Sequence, residues 1–377
     1  MEYLEITNFL TIKQANLEIK KITLLIGEQA TGKSLIAKIL YFFQDLLYLP
    51  LINYIGNSKD QREFKRIILQ KFEQFFPRYA YQKQEFTIIY KLDDIFISIS
   101  QEKTAKNHFK LNCNYGDKFK TIYHQIKRFI EKKAETAAID MFKQNYQILN
   151  VESVAEANFS KYFQKSFFIP ANRSFFANLQ KNVFGFLANN IEIDPFIRDF
   201  GSSYESSKRI YTQISNDQNN QDSPEKKLFN KIQVLISKII AGEYIYEDGE
   251  DWIMSNNMMI NLIHTSSGQQ EALPMLLTLG NVPYMDDDFP IKFLIEEPEA
   301  HLFPYTQKEL ISLFSLLYNQ MEVAFFITTH SPYILTALNN LIMAGNLIDK
   351  LDKNDELIDY LIDYEDVSAY TINNGIL

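Results

Sequence analysis

Short stretches of strict alternation open the chain. Residues 3–6 (Tyr-Leu-Glu-Ile) and 15–19 (Ala-Asn-Leu-Glu-Ile) place apolar and polar side chains at successive positions, the period of a half-buried strand. The run Ile22-Thr23-Leu24-Leu25-Ile26 then predicts a buried strand. A glycine-containing loop and a helix-forming stretch follow, with the helix expected to end near Leu49, before Pro50. Residues 57–80 are charged and helix-prone. Three further runs, 86–90, 95–99 and 109–112, are separated by turn residues at Asp93-Asp94 and 103–107, and predict an antiparallel sheet. Residues 118–148 return to a helical pattern.

Downstream, residues 166–169 form a short apolar strand closed by Pro170. Residues 175–215 read as helix with polar breaks, and 216–224 as a Gln/Asn/Asp-rich loop. An amphipathic helix is expected over 226–241, stopped by Gly242. Residues 244–264 read as a hairpin or small meander around Glu247-Asp248-Gly249. From Gly268 the pattern alternates helix (268–280), strand (291–295), helix (305–319), strand (323–327) and helix (332–343), with a closing strand near 369–372. Such alternation predicts an α/β chain whose mainly parallel sheet is flanked by helices and includes the strand at 22–26. No repeat of fixed period and no sustained heptad is present.

Four segments carry chemistry. Gly27-x4-Gly32-Lys33-Ser34 lies between the strand at 22–26 and a helix, the order a phosphate-binding P-loop requires. Backbone N–H groups and the helix N-terminus cradle phosphates there. Lys33 should reach the β- and γ-phosphates, and the Ser34 hydroxyl should coordinate Mg²⁺. Phe293-Leu294-Ile295-Glu296-Glu297-Pro298 is an apolar strand ending in two acids. Beside a P-loop, Glu296 would orient the Mg²⁺ shell and Glu297 would act as base on the attacking water. Ile327-Thr328-Thr329-His330-Ser331-Pro332 ends another buried strand in a histidine, which the carboxyl edge of a parallel sheet would turn toward the γ-phosphate. Thr265-Ser266-Ser267-Gly268-Gln269-Gln270-Glu271 precedes a helix; it is either an anion site or an ordinary cap, with Ser267 capping and Glu271 in the first turn.

Taken in order, residues 27–34, 266–270, 294–298 and His330 resemble the ABC-type ATPase head. The runs Ile295-Glu296-Glu297-Pro298-Glu299-Ala300-His301-Leu302 and Thr328-Thr329-His330-Ser331-Pro332 resemble its OLD-like and RecF-like branch, many of whose members serve DNA metabolism or antiviral defence. The resemblance covers the P-loop start and roughly residues 240–377. It implies a P-loop NTPase of ABC type with ATP and Mg²⁺ as ligands. The nucleotide-binding set is then Gly27, Glu28, Gln29, Ala30, Thr31, Gly32, Lys33, Ser34 and Leu35. Ser34 and Glu296 are the metal ligands, and Glu297 and His330 (the switch histidine) the catalytic pair. Ser267, Gly268 and Gln269 would be the signature that contacts the γ-phosphate held by a second copy, so one chain holds half of each site. His301 and Leu302 would lie in the D-loop near the dimer axis. Two positions depart from the family pattern: Glu296 stands where Asp is usual, and the signature reads Ser-Ser-Gly-Gln-Gln rather than Leu-Ser-Gly-Gly-Gln. Gln164 is a Q-loop candidate. Arg173, in Pro170-Ala171-Asn172-Arg173, is either ligand-facing or an exposed arginine on a strand-end turn.

The organisation expected is an ATPase head split between residues 1–56 and 244–377. An antiparallel β subdomain with a basic helical lobe is inserted at 57–165, and a helical lobe at 166–243. Composition narrows the company such a head keeps. The formal charge is −9, yet residues 57–135 hold 17 Lys and Arg against 10 Asp and Glu, a local +7. That lobe is either a solvated surface or a face for DNA. Cys113 is the only cysteine, which leaves no intrachain disulfide and no multi-cysteine zinc site; it is expected as a small buried thiol. No apolar run reaches the ~18 residues of a membrane span and the N-terminus has no basic n-region, so a cytoplasmic protein without membrane contact is expected. The interval from Ser34 to Ser267 is too short for a long paired coil, which disfavours SMC-like coiled proteins. The tail after His330 leaves no room for the Toprim nuclease domain of OLD nucleases. The function expected is a homodimerising ATPase that controls a separately encoded effector or a DNA transaction, by resemblance in antiphage defence. A non-hydrolysing nucleotide switch or scaffold and a transporter's soluble motor subunit are the alternatives.

Overall fold

The structure, a computed structural model, describes residues 1–137, 162, 164–177, 193–217, 222–285, 289–346 and 356–377. The chain forms two compact units. One comprises Met1–Lys20, Gly27–Ser166 and Tyr370–Leu377; the other comprises Lys21–Ile26 and Phe167–Ala369.

In the first unit β1 (Glu2–Phe9) and β2 (Ile12–Ile19) form an antiparallel hairpin. Both run further than the alternation at 3–6 and 15–19 indicated, because Phe9 and Ile12 extend the buried face toward the turn. After β3 (Ile22–Ile26), a strand of the second unit, come α1 (Lys33–Leu46), α2 (Leu49–Asn57) and α3 (Gln61–Phe75). Pro50 does not follow a long helix, as expected, but sits in the first turn of α2, where no backbone N–H is needed. Asp60 caps α3 by accepting from the Arg62 and Glu63 N–H groups at 2.8 and 2.9 Å. β4 (Phe86–Leu92), β5 (Ile95–Lys103) and β6 (Phe109–Tyr115) occupy the three predicted positions, and the turn at Asp93-Asp94 is as read. They extend the N-terminal hairpin into one antiparallel sheet of order β2-β1-β4-β5-β6. Phe9, Phe72, Phe76, Tyr81 and Phe86 fill its core, with ring centroids as close as 4.7 Å between Phe9 and Phe86. α4 (Asp117–Ala137) follows; residues 138–148 of the predicted helix lie outside the described residues. Cys113 is buried as expected, and burial pushes its thiol up to about 12, the state of an inert core cysteine.

The second unit holds a five-stranded sheet with order β13-β3-β12-β11-β7. β7 is Lys165–Ile169, β11 is Ile291–Glu296, β12 is Ala324–Thr329 and β13 is Val367–Thr371. β3, β12 and β11 are parallel neighbours, as the helix–strand alternation predicted. Every residue of β11 and β12 is buried, as expected for strands covered on both faces. The covering helices include α5 (Pro195–Asn216), α6 (Pro224–Ile240), α7 (Ser267–Asn281), α8 (Pro304–Met321) and α9 (Pro332–Gly345). Of the predicted segments at 175–215 and 216–224, residues 178–192 and 218–221 lie outside the described residues. Gly242 was expected to end α6. Instead Ala241, at φ 51°, takes the left-handed cap position one residue earlier, and its N–H donates to the Ser237 carbonyl. β8 (Glu243–Glu247), β9 (Glu250–Ser255) and β10 (Met258–Asn261) form the expected antiparallel meander, turning at Asp248-Gly249 with φ 54° and 80°. Among the described residues no single helix is long and apolar enough to cross a membrane.

A buried polar cluster holds the meander to α5. Asp251, 0% exposed, accepts from the Tyr204 and Tyr244 hydroxyls at 2.6 and 2.7 Å and pairs with Lys208, 1% exposed, at 3.1 Å. Burial, reinforced by the Asp251 charge, raises both phenol pKa values well above normal, so both remain donors. Replacing Asp251 with alanine leaves Lys208 with the largely exposed Glu205 as its carboxylate partner and takes the acceptor from two buried phenols. The expected cost is about 3–5 kcal/mol. It should appear as a lower urea midpoint followed through Trp252, the only tryptophan; an unchanged midpoint would show that the cluster does not hold the meander.

Candidate functional site

In the first unit, the loop after β3 folds around its own lysine. Lys33, 5% exposed at the start of α1, donates through Nζ to the Gly27 and Glu28 carbonyls, each at 2.7 Å. The Thr31 hydroxyl donates to the Glu28 carbonyl at 2.8 Å. Gly32 caps α1 at φ 108°, an angle only glycine adopts without strain, and its carbonyl accepts from the Ile36 N–H. Lys33, Ser34 and Leu35 therefore form the first turn of a helix, where backbone N–H groups have no intrahelical acceptor and an anion is favoured. Glu28, Gln29, Ala30 and Ser34 are exposed. Gly27 is a packing position: a Cβ there would lie 2.6 Å from the Ile372 carbonyl oxygen. Residues 373–377 are tied in turn to β2, with the Gly375 carbonyl accepting from Lys13 and Gln14 N–H groups.

In the second unit the acids and the histidine meet. Register sets Glu296 opposite Thr328 and Thr329 opposite Ile26, so β11, β12 and β3 end level. One residue beyond β11, Glu297 takes φ 43°, a left-handed angle uncommon for a residue with a side chain. Its Oε1 lies 2.9 Å from His330 Nε2. Glu297 N–H donates to the Thr328 carbonyl at 2.9 Å, and its own carbonyl accepts from Ala300 N–H at 3.1 Å. Glu299, given no role by its sequence position, reaches back to β12. Its Oε1 accepts from the Thr329 hydroxyl at 2.7 Å and the His330 N–H at 2.8 Å. Glu296 is buried, and its Oε2 accepts from the Ala171 N–H at 3.2 Å. Among the described residues no group of three or more His, Cys, Asp or Glu side chains is arranged to hold a metal ion. Taken singly, an exposed hydroxyl such as Ser34 and a buried carboxylate such as Glu296 are ligand types that Mg²⁺ accepts.

Arg173 is neither ligand-facing nor exposed. It is 0% exposed, and its guanidinium donates to four backbone carbonyls: Glu271 from Nε (2.9 Å), Pro170 and Glu296 from one terminal nitrogen (3.0 and 2.8 Å), and Glu297 from the other (3.1 Å). Its backbone N–H donates to Glu271 Oε2 at 2.7 Å. Burial pulls its pKa down, opposed by the Glu271, Glu299, Glu296 and Glu297 carboxylates. The one available signal was its place just past a short apolar strand, where a parallel sheet puts ligand-edge residues. Gln164 is half-buried immediately before β7.

The signature segment starts α7. The N-cap is Ser266 rather than Ser267, in a capping box with Gln269, whose Nε2 also donates to the Ile240 carbonyl at 2.7 Å. Ser267 is exposed in the first turn, while Glu271 lies beyond it, buried against Arg173. Gly268 packs on the turn that follows β11: a Cβ there would lie 2.9 Å from the His301 carbonyl oxygen. His301 is exposed at φ 60°. In the basic lobe, Lys127 donates to the Ile55 and Ser58 carbonyls at the C-terminal end of α2 and is a structural cation, whereas Arg128 is exposed.

A family model described as an AAA ATPase domain matches residues 1–335. No curated protein matches the chain. Solved structures with similar folds include the SMC head domain from Thermotoga maritima (11% identity, 89% of this chain and 90% of that chain, TM-score 0.35). An SmcHead bound to the C-winged helix domain of ScpA matches at 14% identity, with coverage of 89% and 90% and TM-score 0.37. The recombination mediator protein RecF-ATPrS matches at 13%, 99%, 96% and 0.33 respectively. Likenesses at this distance say nothing about function.

The close approach at Gly27 gives a test of the loop. Gly27→Ala is expected to cost about 1–3 kcal/mol by overpacking, because the neighbouring atom is backbone. It should also weaken ATP binding at least tenfold by displacing the loop. Calorimetric titration with ATP checks this; wild-type affinity would show that the loop tolerates the extra methyl.

Proposed function

Because the chain belongs to the AAA ATPase domain family, we propose that it binds Mg·ATP at the loop 27–35 and hydrolyses it to ADP and phosphate. The observation that carries the reading is the Glu297–His330 pair, 2.9 Å apart just past the ends of the parallel strands β11 and β12. In this reading, the loop N–H groups and Lys33 hold the phosphates. Glu297 accepts a proton from water as its oxygen attacks the γ-phosphorus and the bond to the β-phosphate oxygen breaks. His330, fixed through Glu299, orients the Glu297 carboxylate and donates toward the γ-phosphate. Ser34 and Glu296 would hold Mg²⁺, which would supply positive charge to offset that of the phosphates.

The same reading makes the working form a homodimer, in which Ser267 and the first-turn amides of α7 face the γ-phosphate bound to a second copy. Support comes from the exposure of Ser267 at a helix N-terminus. Gln269, committed to the cap and to Ile240, would support that turn rather than reach the phosphate itself. A separately encoded effector, DNA at the 57–135 lobe, a cytoplasmic setting and a role in antiphage defence complete the proposal. They are supported by the sequence resemblance and the local charge alone.

Phosphate release and nucleotide binding test it together. Wild-type turnover should require Mg²⁺. Glu297→Gln should lower kcat by about 10²–10⁴-fold while ATP still binds. Lys33→Ala should lose ATP affinity by more than tenfold. Unchanged turnover in Glu297→Gln would remove the catalytic assignment. ATP-dependent dimerisation with background phosphate release would select the non-hydrolysing switch.

A further inference from the structure

The geometry points to Arg173 as a positioning residue that joins the signature turn to the catalytic acid within one chain, an inference that rests on the ATPase reading above. Its guanidinium is fully buried and spends four N–H donors on carbonyls from three separate segments: Pro170 after β7, Glu271 in α7, and Glu296 and Glu297 at the tip of β11. Two of these carbonyls belong to the peptides on either side of Glu297, whose φ of 43° needs outside support. The Glu297 carbonyl is held by Arg173 and by the Ala300 N–H together, and its N–H by Thr328. The backbone that aims the Glu297 carboxylate at His330 is therefore fixed from both sides.

The other end of the connection is Glu271. It lies one residue past the signature sequence and binds Arg173 three ways: its carbonyl accepts from Nε, its carboxylate accepts from the Arg173 N–H, and that carboxylate lies 3.8 Å from Nε. A second strut runs parallel to the first, since Gly268 packs directly on the His301 carbonyl of the turn that follows β11. The first turn of α7 and residues 296–301 are thus parts of one block. A signature turn shifted by a neighbouring copy carries the Glu297 peptide with it. Lysine cannot substitute: its donors radiate from a single nitrogen, whereas the guanidinium spreads them in a plane wide enough to span these carbonyls.

Arg173→Lys and Glu271→Gln test the assignment, with melting curves as a check on folding. In Arg173→Lys, kcat should fall at least tenfold, with KM and calorimetric ATP affinity within about threefold of wild type. Amides of residues 296–302 should exchange hydrogen at least tenfold faster. A packing role alone would change the melting temperature without this split between kcat and KM. Glu271→Gln keeps the guanidinium and its carbonyl contacts, so it serves if the lysine variant does not fold; kcat there should fall at least threefold at constant KM. Wild-type kcat in either folded variant would overturn the inference and leave the ATPase reading standing. Absent hydrolysis by the wild type would overturn the ATPase reading instead, and exchange at 296–302 then decides alone: unchanged rates in the folded variant refute the joint.

Discussion

The register of three parallel strands is the constraint on which everything chemical in this chain depends. With Ile26 opposite Thr329 and Thr328 opposite Glu296, β3, β12 and β11 finish at one level. Within the second unit, β11 then releases the acid and its turn, and β12 the histidine, at the same edge. A slip of one residue between β11 and β12 would separate Glu297 from His330 by a strand step of about 3.3 Å and invert the faces of every buried side chain. Every residue of both strands is buried, so a slip would force each side chain into a space shaped for its neighbour.

Ending the strands level is not enough to aim the carboxylate. The chain must turn sharply after Glu296, and it does so by placing Glu297 in a left-handed conformation that costs an L-residue roughly 1–2 kcal/mol. Such strain persists where surrounding bonds over-determine it. Here Thr328, Ala300 and Arg173 all bond to the Glu297 peptide groups. The buried arginine is expensive in the same sense, since its charge leaves water. Four carbonyls and the carboxylate of Glu271 offset that desolvation. Two individually unfavourable features thus stabilise one another, and both lie at the acid tip.

What the sequence disclosed and what it hid divide along a physical line. Strands 22–26, 291–295 and 323–327 and the helices between them were legible because periodicity and burial are local properties, and the P-loop because its spacing is contiguous. The errors were of two kinds. Pro50 was read as a stop although it fits equally well in a first turn, and Gly242 as a cap although Ala241 takes the left-handed position. Ser266 displaced Ser267 as the N-cap for the same reason: adjacent residues of equal propensity are separated only by where the helix begins to be packed. The bonds that Arg173 and Glu299 make were hidden for a different reason. Pro170 aside, the partners of Arg173 lie 98 to 124 residues away and those of Glu299 30 to 31, and nothing in a one-dimensional pattern marks a cation that will bind carbonyls rather than acids.

Charge counting shows the same limit in the basic lobe. A local excess of +7 reads as an anion-binding surface only if the cations are free to face one way. In the folded lobe Lys127 serves the carbonyls at the C-terminal end of α2. Arg66, Arg78, Lys91, Lys118 and Lys120 each pair with a carboxylate of the same unit. Exposed pairs of this kind are weak, about 0–1 kcal/mol, so a polyanion could compete for the five paired cations but not for Lys127, whose removal would unseat the end of α2. Nucleic-acid binding by this lobe would therefore have to exchange internal pairs for phosphate contacts. Its salt dependence would report fewer released counterions than the 17 basic residues suggest. The distinction between a charged lobe and a binding face lies in those pairings, which composition alone does not contain.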